Sequence, residues 1–191
     1  MRKVGILFIG LSVLSSFGCP ARSIFPLFAD KDMVFVPGLV GTWVDTGKTL
    51  MEENTLSIKK AGERNYYLME FSVGKDGDQV ETNTYYAYLG RLGDFCFLDS
   101  CQQIRQGENY DLIPTHLFFR LWLEGDTLRL AALDGDWLDK MIGKKKISIS
   151  HLLLEDEIVL TAATPELQQL VRRFAEDREA FPDPATYVRL K

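Results

Sequence analysis

Through the body of the chain, hydrophobic positions recur with a period of two more often than 3.6, which predicts strands rather than helices. Segments 38–45 (GLVGTWVD), 54–60, 65–73, 80–89 and 95–99 are rich in β-branched or aromatic residues, with Gly, Asp and Asn between them. Ala61-Gly62 and the run 74–78 (GKDGD) predict hairpin turns, because Gly and Asp tolerate positive φ. The clearest hairpin spans 116–134. Leu117, Phe119, Leu121 and Leu123 alternate with His116, Phe118, Arg120 and Trp122; after Gly125-Asp126, Leu128, Leu130 and Ala132 alternate with Arg129, Ala131 and Leu133. A two-residue turn would set Leu123 opposite Leu128, Leu121 opposite Leu130 and Phe119 opposite Ala132, making one face core. The same register sets Trp122 opposite Arg129, with Arg120 next along that face, a cation–π arrangement within cross-strand reach.

Two stretches read as helices. Asp134-Gly135-Asp136 offers a cap before Trp137, Leu138, Met141 and Ile142, a short helix ending near Gly143. A strand pair over 147–154 and 158–162, around the acidic turn 155–157, follows. Then Thr164-Pro165-Glu166 reads as N-cap, first-turn Pro and first-turn acid, with Leu167, Leu170, Val171 and Phe174 at helical spacing and Pro182 as the stop. Eight or nine short antiparallel strands, one helix before the last pair and one after it, predict a mainly β fold. The expected architecture is a single antiparallel β-barrel over 33–191, closed or nearly so, with a short helix and an amphipathic C-terminal helix packed on it.

The N-terminus reads as an address. Arg2 and Lys3 precede a nearly unbroken apolar run over 4–13, then small residues and Cys19. These are the parts of a secretory signal, and the run is too short to span a bilayer core of ~30 Å comfortably. Ser16-Phe17-Gly18-Cys19 resembles a bacterial lipobox, which implies a signal peptide over 1–18, diacylglyceryl modification of Cys19 and a lipid-anchored tether over 19–32. Ordinary cleavage after Ala21 is the alternative, giving a soluble periplasmic or secreted protein. Pro20 stands where Asp would mark retention in the inner membrane, so the expected location is the cell envelope, at the outer-membrane or periplasmic face.

The formal net charge is −5 with a pI near 5.1, which argues against nucleic acid as the main partner. Loss of 1–18 removes two positive charges and no acid, taking −5 to −7. Such a domain is repelled by anionic lipid, so acyl chains would have to do the anchoring. Lys144-Lys145-Lys146 is the one basic cluster; a solvated loop after a helix is the expected role, head-group contact the other.

Gly41-Thr42-Trp43 resembles the G-x-W signature of lipocalin-like barrels, which implies that Trp43 plugs the closed end. The Thr-Asp-Tyr and closing-Arg motifs that lipocalins carry later in the chain are not legible. More broadly, PGLVGTW, HLFFRLWLEGDTLRLAALDGDWL and LTAATPELQQLVRRFAEDREAF look like a group of uncharacterised bacterial proteins, often predicted lipoproteins. That resemblance implies export and one compact domain, and supplies no mechanism.

The chain contains no H-E-x-x-H, C-x-x-C, G-x-S-x-G, P-loop or G-x-G-x-x-G motif, which leaves no signature of a metal centre, nucleophile elbow or phosphate cradle. No cofactor is predicted, and catalysis is the minority expectation. His116 and His151 fall near strand starts, where a hydrogen-bonded histidine is the ordinary outcome. Asp76/Asp78 and Asp134/Asp136 each bracket a Gly without continuing into a calcium loop, so turn and cap are expected. Cys96 and Cys101 could bridge after export only if the chain turns between them, since five residues of straight strand span ~16 Å on opposite faces. A buried thiol at Cys96 is the competing reading.

Two functional classes follow. One is a barrel holding a small apolar ligand, lined by aromatic residues such as Tyr67, Tyr86, Tyr88, Phe71, Phe95, Phe97 and Phe119. The other is an envelope adaptor with a filled barrel that meets another protein through an exposed face such as Phe118, Arg120, Trp122 and Arg129. The large residues on every strand lean towards a filled barrel.

Overall fold

The structure, a computed structural model, describes residues 19–47, 52–62, 66–75, 81–103, 113–154 and 157–191. The signal-peptide reading (1–18), Asp76/Asp78 and most of the acidic turn at 155–157 therefore lie outside the described residues.

Period-two alternation builds a ring of eight strands. β1 (Arg22–Ser23) precedes the ring, which begins with β2 (Gly41–Asp45) and continues through β3 (Glu52–Ala61), β4 (Tyr66–Lys75), β5 (Glu81–Leu92) and β6 (Phe95–Gln102) to the hairpin of β7 (His116–Glu124) and β8 (Thr127–Ala132). After α1 (Gly135–Gly143), β9 (His151–Leu154), β10 (Glu157–Leu160) and α2 (Thr164–Arg173), the chain returns as β11 (Ala185–Arg189). β11 lies antiparallel between β8 and β2, and β6 pairs with β7, so the antiparallel barrel is closed. Closure leaves the eight-strand ring itself without an open edge that would template aggregation. The β7–β8 register is the expected one: Leu123 faces Leu128, Leu121 faces Leu130, Phe119 faces Ala132 and Trp122 faces Arg129. At the turn Gly125 takes φ 60°, the left-handed conformation that a tight hairpin needs.

The barrel interior is filled by Trp43, Leu56, Tyr67, Met69, Leu89, Leu98, Phe119, Leu128, Leu130 and Tyr187, all buried. Tyr67 donates its hydroxyl to Val36 O at 3.2 Å and accepts from Val36 N at 2.6 Å, so this buried phenol is satisfied. The expected lining is corrected by register. Tyr67 and Phe119 point inward and Phe71 packs beside them, but Tyr85, Ala87 and Leu89 take the inward positions of β5. Tyr86 and Tyr88 therefore alternate to the outside, as Phe95 and Phe97 do around Leu98.

A second hydrophobic layer covers the outer face of β6–β8. Phe97, Phe118, Ala131 and Leu133 meet Leu27 and Phe28, Trp137 and Leu138 of α1, Leu167, Leu170 and Val171 of α2, and Phe181. β7 runs past the end of β8, and its first residues pair with β1, which continues into β10 and β9. The expected tether over 19–32 is thus a correction: Ala21, Leu27 and Phe28 are core, because the apolar outer face needs cover. Gly90 makes that docking possible, since a Cβ there would overlap the Phe28 ring.

Other elements shift in part. Asp134 caps α1 as expected, accepting from Trp137 N at 2.6 Å. The strand expected over 147–154 begins only at His151, and Ile147 is buried ahead of it. α2 stops at Arg173 rather than near Pro182, and Asp177 then organises a turn, accepting from Glu179 N at 2.8 Å and, through its carbonyl, from Phe181 N at 3.1 Å. β11 was not expected, and it is the strand that closes the ring.

Candidate functional site

The face expected to be an exposed patch divides into two. Phe118 is 1% and Arg120 is 8% exposed, so both lie under the outer layer, which corrects their reading as surface residues. Trp122 and Arg129 remain partly open beside them. Arg120 and Arg129 share one ring, with guanidinium carbons 4.9 and 5.3 Å from the centroid of Trp122. Arg120 also lies 4.1 Å from the Phe95 centroid and 5.7 Å from that of Phe97. Arg129 is paired with Glu124 at 2.8 Å, whereas Arg120 Nε and Nη1 are buried without a hydrogen-bond partner. Burial holds the Arg120 pKa below its ordinary value.

Magnitudes decide what Arg120 contributes. A desolvated cation–π contact gives about 2 kcal/mol, but each unpaired buried donor costs about 1–3 kcal/mol and burying the charge costs several more. Arg120→Met, which keeps the packing and removes the charge, should therefore match or exceed the wild-type urea midpoint. An unfolding free energy lowered by more than about 1 kcal/mol would show that the cation–π stack wins.

A second cluster fastens the N-terminal segment to the barrel. Asp99 is fully buried on β6; its Oδ2 accepts from Leu27 N at 2.8 Å and its Oδ1 from His116 Nδ1 at 2.7 Å. Burial pushes the Asp99 carboxyl above its usual range, opposed by the His116 and Leu27 hydrogen bonds. Ser23 stands opposite His116 on β1, so the residue types of a hydrolytic triad meet on one face. Their geometry serves fastening instead: the Ser23 hydroxyl donates to Phe25 O at 2.8 Å and accepts from Phe25 N at 3.1 Å. Cys101, also opposite His116, has its thiol pushed up to about 11 by burial and by Asp99, far from the thiolate a nucleophile needs.

Cys96 and Cys101 are both free. The bridge is corrected for a geometric reason: β6 runs straight through both, so their side chains point to opposite faces. His151 Nδ1 donates to Ile149 O at 2.8 Å, and two strands, β1 and β10, separate its strand from β7, so the histidines share no site. Among the described residues, no group of three or more His, Cys, Asp or Glu side chains could hold a metal ion. Cys19 is exposed at the surface, with its carbonyl accepting from Gly135 N at 2.8 Å.

Trp43 is fully buried in the barrel core and donates through Nε1 to Leu39 O at 3.0 Å. Arg189 of β11 lies over its ring at 4.2 Å, donates to the Val40 and Gly38 carbonyls, and pairs with Asp126 at 3.1 Å. Gly41, at φ 151°, leaves the space that Arg189 crosses. Sequence reasoning missed Arg189 because only the pairing of β11 with β2 brings it to Trp43.

A groove of about 330 Å³ opens in the outer layer between α2 and the chain leading to β9. Ile147, Ile149, Leu170 and Phe174 form its apolar floor, with Glu166 and Arg173 among its polar groups. No motif announces it: α2 is legible as a helix, but which segment packs opposite it is not written in either stretch. No family model matches this chain, and no curated protein and no solved structure shows significant similarity to it.

Proposed function

We propose that this chain is a lipid-anchored, non-catalytic protein of the bacterial cell envelope. Its lipocalin-like barrel serves as a packed scaffold, and it acts by contact with another envelope protein through its outer surface. The observation that carries the reading is the barrel interior: Trp43, Tyr67 and Leu128 are fully buried there, occupying the space in which a lipocalin-like barrel would hold a ligand. The lipocalin-like label draws support from Trp43 beneath Arg189, a first-strand tryptophan under a closing arginine. The exposed Cys19 supports anchoring, and the half-open Trp122–Arg129 pair is the type of anchor enriched in protein contacts.

A second reading, a small apolar ligand, is favoured by the outer groove over Ile147, Ile149, Leu170 and Phe174, whose size suits a small molecule. Neither reading involves nucleic acid.

One preparation tests both. When the chain is made with its leader in a bacterium, Cys19→Ser should move it from the membrane pellet to the soluble fraction. The native mass of that soluble chain should be bare. Unchanged fractionation would remove the lipid anchor from the reading. An excess mass lost on denaturation would replace the adaptor by a ligand carrier and identify the ligand class.

A further inference from the structure

Cys19 is fixed to the folded domain. Its carbonyl is hydrogen-bonded to Gly135 at the start of α1, and the residues after it go directly into β1 and the outer core. β1 runs parallel to β10, with Arg22 beside Val159 and Ser23 beside Leu160. Followed backwards from Arg22, the chain approaches Cys19 at the level where β10 begins. Arg22 marks that level by pairing with Glu157 at 3.2 Å, and Glu157 faces Leu154 across the β9–β10 pair. Glu157 is also the strongest charge acting on the Cys19 thiol, followed by Asp136. The anchor point and the end of the β9–β10 pair therefore share one end of the molecule.

β9 is unusual for an edge strand. Among the described strands it pairs only with β10, leaving its outer backbone groups open. Edge strands are ordinarily blunted by charge, proline or brevity. β9 is short, but its residues are His151, Leu152, Leu153 and Leu154, and the three leucines are 53%, 60% and 54% exposed. Alternation places Leu152 and Leu154 on one face and Leu153 on the other, so the strand projects with apolar groups on both sides.

We propose that this edge is a membrane-seating element: the leucines of β9 enter the lipid interface beside the acyl chains carried by Cys19. The inference rests on the Cys19 anchor of the preceding reading and adds an orientation to it. With no free tether, acyl chains in the bilayer hold this end of the domain against the surface. Interfacial apolar elements sink about 5–10 Å into the head-group boundary, a depth suited to side chains beside the anchor point. Glu157, Asp134 and Asp136 act on the Cys19 thiol against one cation, Arg22, which is paired with Glu157; the surroundings are net acidic, so neutral lipid is the favoured surface and anionic lipid weakens the seating.

The test uses the full lipid-modified chain in phosphatidylcholine vesicles with brominated acyl chains, which quench tryptophan at membrane depth. Leu153→Trp should show at least twofold quenching beyond the wild-type signal. Lys59→Trp, on β3 at the opposite side of the eight-strand ring, should show none. Quenching at position 153 should fall as phosphatidylglycerol replaces phosphatidylcholine. A vesicle-bound chain with no added quenching at 153 overturns the seating and leaves the anchor standing. A Leu153→Trp signal unquenched while the mass doubles assigns the edge to a second copy and likewise overturns it. If Cys19→Ser binds the vesicles as well as the modified chain, the anchor falls, and an unquenched Trp at position 153 in that variant overturns the seating as well.

Discussion

A chain ended at Pro184 is expected to lose cooperative folding. The truncation removes β11, whose four pairs with β8 and three with β2 close the ring. At about 1 kcal/mol net per ladder hydrogen bond, those contacts amount to several kcal/mol. Tyr187, 4% exposed at the core, adds about 2–3 kcal/mol of burial. Trp43 would also lose Arg189 and the two carbonyls it joins, and exposing a core tryptophan costs about 3–5 kcal/mol by analogy with truncation. Together these equal or exceed the whole stability of an ordinary domain, about 5–15 kcal/mol. Open edges on β2 and β8 would then favour association. The expected readout is a shallow, non-cooperative urea transition with loss of near-UV dichroism. Ending the chain after Arg189 should cost under about 1 kcal/mol, because Leu190 is 60% exposed. A sharp transition for the shorter chain would show that seven strands and the outer layer form an independent core.

The parts of this fold that are visible in the sequence are those whose signal is local. The β7–β8 hairpin is legible because alternation, the Gly125-Asp126 turn and paired apolar positions all agree on one register. Asp134 is legible as a cap from three adjacent residues. β11 is not, because it is five residues long and only Tyr187 of it is buried, so no alternation repeats. Arg189 inherits that invisibility, since its role depends on which strand it lies beside. The outer layer did leave a signal, in the consecutive apolar pairs Phe97-Leu98 and Phe118-Phe119. An apolar residue on both sides of a strand implies cover on both faces, whereas a half-exposed strand should alternate. Read that way, Phe118 and Arg120 would have been placed under a second layer. What that layer is made of was less accessible: residues 20–28 combine Ala21, Leu27 and Phe28 with two prolines and show neither period.

Asp99 carries the next largest expected effect. Asp99→Ala removes two acceptors at once and strands Leu27 N–H and His116 Nδ1 in a buried site, at a cost of about 2–5 kcal/mol. Because Leu27 leads into Phe28 and the outer core, that loss should also loosen the segment between Cys19 and the barrel, read as faster amide exchange at Leu27 and Phe28. Asp99→Asn separates charge from hydrogen bonding, since one amide oxygen can still accept from Leu27. Burial raises the carboxyl pKa in the folded state above its unfolded value near 4, despite His116 and Leu27. A group raised in this way contributes stability below the unfolded pKa and loses it as pH rises through the folded pKa. Relative to Asp99→Asn, the wild type should therefore be strongest in acid and lose ground steadily as pH climbs above about 4. Urea midpoints of the two proteins across that range give the difference directly. A wild-type advantage that grows with pH would mean that the pairing with His116 outweighs desolvation, making the buried clasp an ion pair rather than a hydrogen-bonded acid.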